Sequence, residues 1–442
     1  MPSIRTTFRT TFRTTFALLA LTPTALLAQQ DGPRPIPLDE AVRLARQNSP
    51  TTTQARGALR VGRMTVTNAL SQFLPNLGVN AGAGNSNGAT FFQGKLVPFQ
   101  GDPWSYSKGY SASLVLFDAG QRWFNYRAAQ ANLTANSENE TLQEFNVALG
   151  VKGQYYAVLA ARESEAAAQR QLEQAALQLR LTSARVQAGA AILSDSLRSA
   201  IAVGAARLAI IMARNSLRVA NASLTRLAGA QAEVTAVAAD TSDVPRIDVD
   251  SAELGRLADQ GPLVRQATAA LEASRGVRRA NLTSYLPFVT ASYGSATNKS
   301  SPTFVWGGDY PSTSTRYSFG LSYTIFNGFG RELNLMNATV NEENAQTSLR
   351  DAKLAARESL AQDLGAFRTA AQTIELQLLQ IAAAEQDLHA QQSRYALGAS
   401  ALLDVLTSQT VLDNARAALI SARLQARTAK AQLEALIGRD LR

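Results

Sequence analysis

The sequence predicts a mixed α/β membrane protein in which short barrel-type strands alternate with helices much longer than a globular core requires, the whole pattern being written twice. Three observations carry this prediction. First, FDAGQR at Phe117–Arg122 recurs as FNGFGR at Phe326–Arg331, and ARVQAGAAILSDSL from Ala184 recurs as SRYALGASALLDVL from Ser393, each about 209 residues further on. LPNLGVNAG at Leu74 and LPFVTASYG at Leu286 match at an offset of about 212. Order is preserved, so duplication of one strand-and-helix unit follows. Second, the segments around these motifs alternate with a period of two. Third, proline is absent between Trp104 and Val244 and again from Ser312 onward, which leaves room for very long helices.

At the amino end, Arg5, Arg9 and Arg13 precede apolar runs at Phe16–Leu21 and Thr24–Ala28, and then QQDG follows. This reads as an export signal over residues 1–28, cleaved after Ala28. Residues 29–73 hold a first helical stretch, Leu38 through Leu70, interrupted at Asn48, Ser49 and Pro50. Residues 74–117 form a hairpin: Leu77, Val79, Ala81 and Ala83 follow Pro75, while Ala112, Leu114 and Leu116 share a phase in the partner segment Ser111–Phe117.

Residues 118–234 then supply a helix from about Gln121 to Val186, a turn at Gly189 and a returning helix from about Ile192 to Leu227. At 1.5 Å per residue the outgoing helix is on the order of 100 Å long, a length no monomeric core needs. Residues 235–250 connect the copies. In the second copy, residues 251–285 are helical with an interruption at Gln260, Gly261 and Pro262, residues 286–326 form a hairpin, and residues 327–442 form a long helical hairpin turning at Gly398. Two such sets of helices can form pseudo-equivalent coiled-coil layers around a tube.

The clearest strand is Tyr317–Phe326. Tyr317, Phe319, Leu321, Tyr323 and Ile325 alternate with Ser318, Gly320, Ser322 and Thr324, the pattern of a strand between lipid and a wet lumen. Polar, Gly- and Ser-rich stretches inside each hairpin, Gly84–Gly109 and Gly294–Thr315, read as external loops. Four strands are too few to close a membrane barrel or to fill a soluble sandwich; three chains would contribute twelve. Outside the signal no run of 18 apolar residues occurs, so no helix is expected to span a membrane.

Composition removes several function classes. Without Arg5, Arg9 and Arg13 the formal charge of +9 falls to +6, with no concentrated basic stripe for nucleic acid. The chain has no cysteine, which excludes disulfides, thiolate metal sites and a cysteine nucleophile. His389 is the only histidine; Glu385 lies four residues before it, but no second histidine completes a zinc motif. No nucleophile elbow or phosphate-binding GxxxxGK[ST] loop is present, so no enzyme, metal or cofactor is expected.

LDEAVRLARQNSP from Leu38, LPNLGVNAG, the FDAG and FNGFG turns and RYALGASALLDVLTSQ from Arg394 resemble, in this order, the TolC family of outer-membrane efflux proteins. The resemblance implies a homotrimer with a twelve-stranded barrel in the outer membrane, four strands per chain, continued by a periplasmic α-helical barrel. It implies an exit duct of an efflux or type I secretion system, fed by an inner-membrane transporter through a periplasmic adaptor (membrane fusion) protein. The hairpin tips, around Arg185, Gly189, Asp195, Arg394 and Gly398, are then adaptor contacts. Asp404 matches the first acidic position of the family's periplasmic constriction, Thr407 stands where the second acidic residue is expected, and Tyr395 matches an aromatic residue whose hydroxyl ties hairpins in the closed state. For Asp195 a helix-start role is the preferred reading, and for Tyr395 interhelical packing is the alternative. An adhesive or structural outer-membrane coiled-coil protein is the alternative reading; it predicts no conductance.

Overall fold

The computed structural model describes residues 32–86, 88–98, 102–237, 247, 249–305, 307–310 and 312–441. The expected signal over residues 1–28 lies outside them, as do residues 238–246 and 248 of the expected connection. The chain runs β1 (Arg34–Ile36), α1 (Leu38–Asn48), α2 (Pro50–Ser71), β2 (Asn76–Asn85), β3 (Ala89–Phe92), β4 (Lys95–Pro98), β5 (Trp104–Phe117), α3 (Gln121–Gln187), α4 (Leu193–Ala228) and β6 (Val234–Ala236). It continues with α5 (Ser251–Ala258), α6 (Pro262–Leu282), β7 (Phe288–Ser301), β8 (Ser312–Ser322), α7 (Gly330–Ala396) and α8 (Leu402–Ile437). The helices α3 and α7 each have 67 residues, and α4 and α8 each have 36. Pro50 and Pro262 open α2 and α6 at the first helical position, where their missing N–H costs nothing.

Four strands form one antiparallel sheet in the order β2-β5-β7-β8. Paired residues such as Tyr293 and Tyr317, Ala291 and Phe319, and Val289 and Leu321 put the apolar side chains on one face. Ser107, Gly109 and Ser111 of β5 line the opposite face with Gly82, Asn80 and Gly78 of β2. The strands reach well into the stretches expected to be loops, because backbone pairing continues from Asn85 with Trp104 and from Trp104 with Ser301 whatever the side chains are. Within the first of these stretches a small hairpin, β3 with β4, turns at Gln93 and Gly94, both at positive φ.

One expectation needs correction. Tyr323 and Ile325 do not lie in a strand, for β8 ends at Ser322 opposite Phe288, the first residue of β7 after Pro287. Beyond that pair β7 offers nothing to bond, and the carbonyls of Thr324 and Ile325 instead accept from Arg331, Nη1 at 2.8 Å and Nη2 at 3.1 Å. By length and composition α4 is apolar enough to cross a membrane, although charged and polar residues interrupt it, and most of its apolar stretch is exposed.

The repeated FDAGQR and FNGFGR motifs are the corners where strand becomes helix. Asp118 accepts from the Gly120 N–H at 3.1 Å and from the Arg122 N–H and Nε at 3.0 and 2.7 Å. Burial alone pushes the Asp118 carboxyl up, but these bonds and the Arg122 charge hold it below the usual carboxylate range. Arg122 also reaches the Gln72 carbonyl and lies over the Phe73 ring, as Arg331 lies over Tyr285. Each corner therefore fastens a strand, the preceding short helix and a long helix at one point.

Further along, α2 and α6 run beside the long helices. Gly276 packs so closely on α3 that a Cβ there would stand 2.9 Å from the Ala128 Cβ. The apolar core sits where the helices are most numerous: Ile36, Ala41, Val158, Leu224 and Ala236 are buried together with Tyr155. The Tyr155 hydroxyl donates to the Ile36 carbonyl and accepts from the Val237 N–H, each at 3.2 Å, pinning the parallel pair β1 and β6 to α3. One turn away on α3, Lys152 binds Glu434 at 2.6 Å and Asp440 at 2.9 Å.

Burial opposes the Lys152 charge, yet its bonds to Glu434 and Asp440 raise it above the ordinary lysine range. Asp440 is lowered, first by the hydrogen bond from Lys152. Lys152→Met leaves Glu434 buried without its partner and is expected to cost roughly 3 kcal/mol, read as a lower thermal midpoint. The Asp440 contribution is complete above its ordinary value and lost as pH falls through the depressed one. The gap between wild type and variant should therefore narrow below about pH 4. The lysine's own contribution persists below its ordinary value and is lost only as pH rises beyond about 10.

Candidate functional site

The two long hairpins end in turns of the same construction. In the first, the Gly189 N–H donates to Val186 and the Ala190 N–H to Arg185; in the second, Gly398 donates to Tyr395 and Ala399 to Arg394. This pairing satisfies the last carbonyls of a helix and needs a left-handed residue at its centre. Gly189 and Gly398 both take φ of 73°.

Hydroxyls close the first tip: Thr182 Oγ1 donates to Ser199 Oγ at 3.0 Å, and Ser183 Oγ pairs with Ser196 Oγ at 3.1 Å. The second tip is apolar, with Leu388, Tyr395, Leu402, Val405 and Leu412 buried against one another. Ser408 adds a hydrogen bond to Asp387.

Tyr395 joins the tips. Its side chain is buried on α7, and its hydroxyl donates to Asp195 Oδ2 on α4 at 3.5 Å. The Arg185 guanidinium lies 4.7 Å from the Tyr395 ring centre, and its Nη1 donates to the Tyr395 carbonyl at 2.6 Å. Burial pushes the Tyr395 hydroxyl up, and the Asp195 charge adds to this, so it stays a proton donor throughout the physiological range. Between α3 and α7 above this contact lies a groove of about 440 Å³, lined by Leu177, Leu181, Gln392 and Tyr395.

Asp404 and Thr407 are exposed on α8 and do not join that contact. Asp404 is the third residue of α8, and its Oδ2 accepts from the Ala401 N–H at 3.1 Å, so it caps its own helix. The Thr407 hydroxyl donates to the Leu403 carbonyl at 2.9 Å. Arg394 is exposed. Among the described residues no group of acidic and histidine side chains is placed to hold a metal ion.

The comparisons with known proteins agree with this architecture. A family model for outer membrane efflux proteins matches residues 41–230 and 254–439, most of the chain. The chain belongs to the outer membrane efflux protein family. Its relatives include the pyoverdine export outer membrane protein OpmQ of Pseudomonas aeruginosa, 26% identical over 91% of this chain and 83% of that protein. Protein CyaE of Bordetella pertussis is also 26% identical, over 90% of this chain and 83% of its own length. Among solved structures, the outer membrane protein VceC of Vibrio cholerae superposes with a TM-score of 0.77 at 18% identity, covering 92% of this chain and 97% of that one. This outer membrane efflux protein is accordingly a component of the outer membrane that extends into the periplasm, and an export protein rather than an enzyme.

In this efflux protein the predicted residues Arg185, Asp195 and Tyr395 meet, although they come from three helices. The Thr182–Ser199 and Ser183–Ser196 pairs escaped sequence reasoning. Their only signal was the facing of small hydroxyl residues across the first turn. Gly398→Ala meets no steric obstacle but forces a left-handed alanine, at about 1–2 kcal/mol. Amide exchange at the second tip should accelerate about 5- to 30-fold.

Proposed function

We propose that this efflux protein assembles as a homotrimer, twelve strands closing one barrel in the outer membrane and the long helices continuing it as a periplasmic tube. It serves as the passive exit duct of a tripartite efflux or type I secretion assembly, receiving cargo from an inner-membrane transporter through a periplasmic adaptor. The observation that carries this reading is the four-stranded sheet with one apolar face and two open edges, β2 and β8. In hydrocarbon an open edge cannot persist, so those backbone groups must meet other copies.

The dimensions support the same assignment. At 11 residues, Ser312–Ser322, β8 has the length at which a tilted strand crosses a bilayer, about 9–11 residues. Tyr317, Phe319 and Leu321 are exposed on the apolar face of β8. On α4, the exposed Leu197, Ile201, Leu208, Met212 and Val219 recur at near-heptad spacing. They fit a seam with an adjacent copy better than a membrane span. The matched lengths of the two halves support descent from one duplicated unit, with residues 1–28 as the export signal.

At the periplasmic end, the Tyr395–Asp195 bond is a latch between hairpins and the groove beside it a seat for an adaptor. Three copies of Asp404 near the axis favour cations, whereas Thr407 adds no second ring of charge. Two measurements test the reading. Native mass of the detergent-extracted protein should correspond to three chains; a stable monomer sinks the duct. In planar bilayers, Asp404→Ala should raise anion permeability without loss of trimer, and unchanged ion selectivity would remove Asp404 from the gate.

A further inference from the structure

The outward face of the barrel sheet changes character sharply in its outer half. Tyr110, Tyr293 and Tyr317 form a row across β5, β7 and β8, with ring centres 5.8 Å and 4.8 Å apart. Below it the face is apolar, through Ala291, Phe319 and Leu321. Above it, on the same face by register, stand Lys108 opposite Thr297 and Lys299 opposite Tyr106. The chain has only six lysines, and three of them, Lys95, Lys108 and Lys299, fall in the outer parts of the two hairpins, so this placement is not a general property of its basic residues.

The connection after β7 is fastened over the same face. The Tyr106 hydroxyl accepts from the Val305 N–H at 2.7 Å and donates to the Thr303 carbonyl at 3.4 Å, and Phe304 packs edge-on against Trp104 with ring centres 4.8 Å apart. This strap delivers Tyr310, whose ring centre lies 4.0 Å from Lys108 Nζ and 6.0 Å from Lys299 Nζ. Lys299 also donates to the Gly307 carbonyl at 3.1 Å. Among the described residues neither ammonium is in a salt bridge. The nearest carboxylates along the chain, Asp102 and Asp309, are both exposed. Two ammonium groups thus converge on one aromatic ring with their charge uncompensated.

We propose that Lys108, Lys299 and Tyr310 form a binding site for the phosphate of a phosphorylated lipid headgroup in the outer leaflet. The inference rests on the barrel orientation proposed above. Aromatic rows settle at the headgroup level of a bilayer, and Lys108 lies two residues beyond Tyr110, about 7 Å further along the strand. That places the ammonium groups at the depth of lipid phosphates, where charge-assisted hydrogen bonds act beside an apolar surface. Tyr310 holds the two cations together and the strap keeps them on the lipid side.

Native mass spectrometry of the full-length protein, purified in detergent, tests this with three probes: bis-phosphorylated lipid A, the same lipid stripped of its phosphates, and inorganic phosphate. Wild type should prefer the phosphorylated lipid by about tenfold or more, the scale of one charge-assisted hydrogen bond. The double variant Lys108→Gln with Lys299→Gln should lose most of that preference, and Lys108→Arg with Lys299→Arg should keep it. Equal binding of both lipids by wild type, or an undiminished preference in the glutamine variant, overturns the proposal. Binding of inorganic phosphate as tight as that of the lipid overturns it in favour of a free-anion site. The same spectra count subunits: a monomer that still prefers the phosphorylated lipid supports the site while removing the trimeric duct, and a trimer without preference does the reverse.

Discussion

The unpaired edges of the β2-β5-β7-β8 sheet are the constraint on which the rest of the molecule depends. Each edge carries backbone donors and acceptors beside an apolar outer face, and a lipid environment supplies nothing to satisfy them. In the proposed trimer, closure by further copies would set the circumference, and the circumference would set how many helices stand beneath it. The paired lengths, 67 and 36 residues in each half, then follow as a requirement of a tube with level ends. A helix of uneven length would leave a gap in the wall.

Coupling between sheet and tube is concentrated at two corners. Asp118 with Arg122, and Asn327 with Arg331, convert the extended chain to helix within a few residues. Arg331 does this while occupying the carbonyls that a continuing strand would have used. The sheet and the long helices therefore share their boundary residues. At the far end the two halves are joined by side chains from three helices: a tyrosine hydroxyl, a carboxylate and a guanidinium.

The long-range plan was legible because it is written in periodicity. The proline-free tracts and the glycine turns act locally, and the structure places the long helices and their turns within a residue or two of those signals, whereas the strands extend several residues beyond the alternating segments. What escaped notice depends on partners distant in sequence. β1 and β6 have three residues each and no periodic signature; they exist because Tyr155 and the buried cluster around it hold them. Lys152 finds Glu434 across 282 positions. Tyr323 and Ile325 keep the alternation perfectly, yet the strand stops before them because Phe288 is the last partner available. At the tips the resemblance directed attention to Tyr395 and Asp195, whereas the stacking of Arg185 on that tyrosine needed the coordinates.

The parallel pair β1 and β6 also has a temporal meaning. Arg34 aligns with Val234, so the first ordered strand cannot dock until a segment 200 residues later has been made, has folded out along α3 and has returned along α4. Closing so large a loop adds entropy cost only slowly with length, but it fixes an order of events. The core around Tyr155 can be completed only when both segments are present. Until then the apolar underside of α1 has no cover. The two three-residue strands thus tie the beginning of the helical region to the end of the first long hairpin.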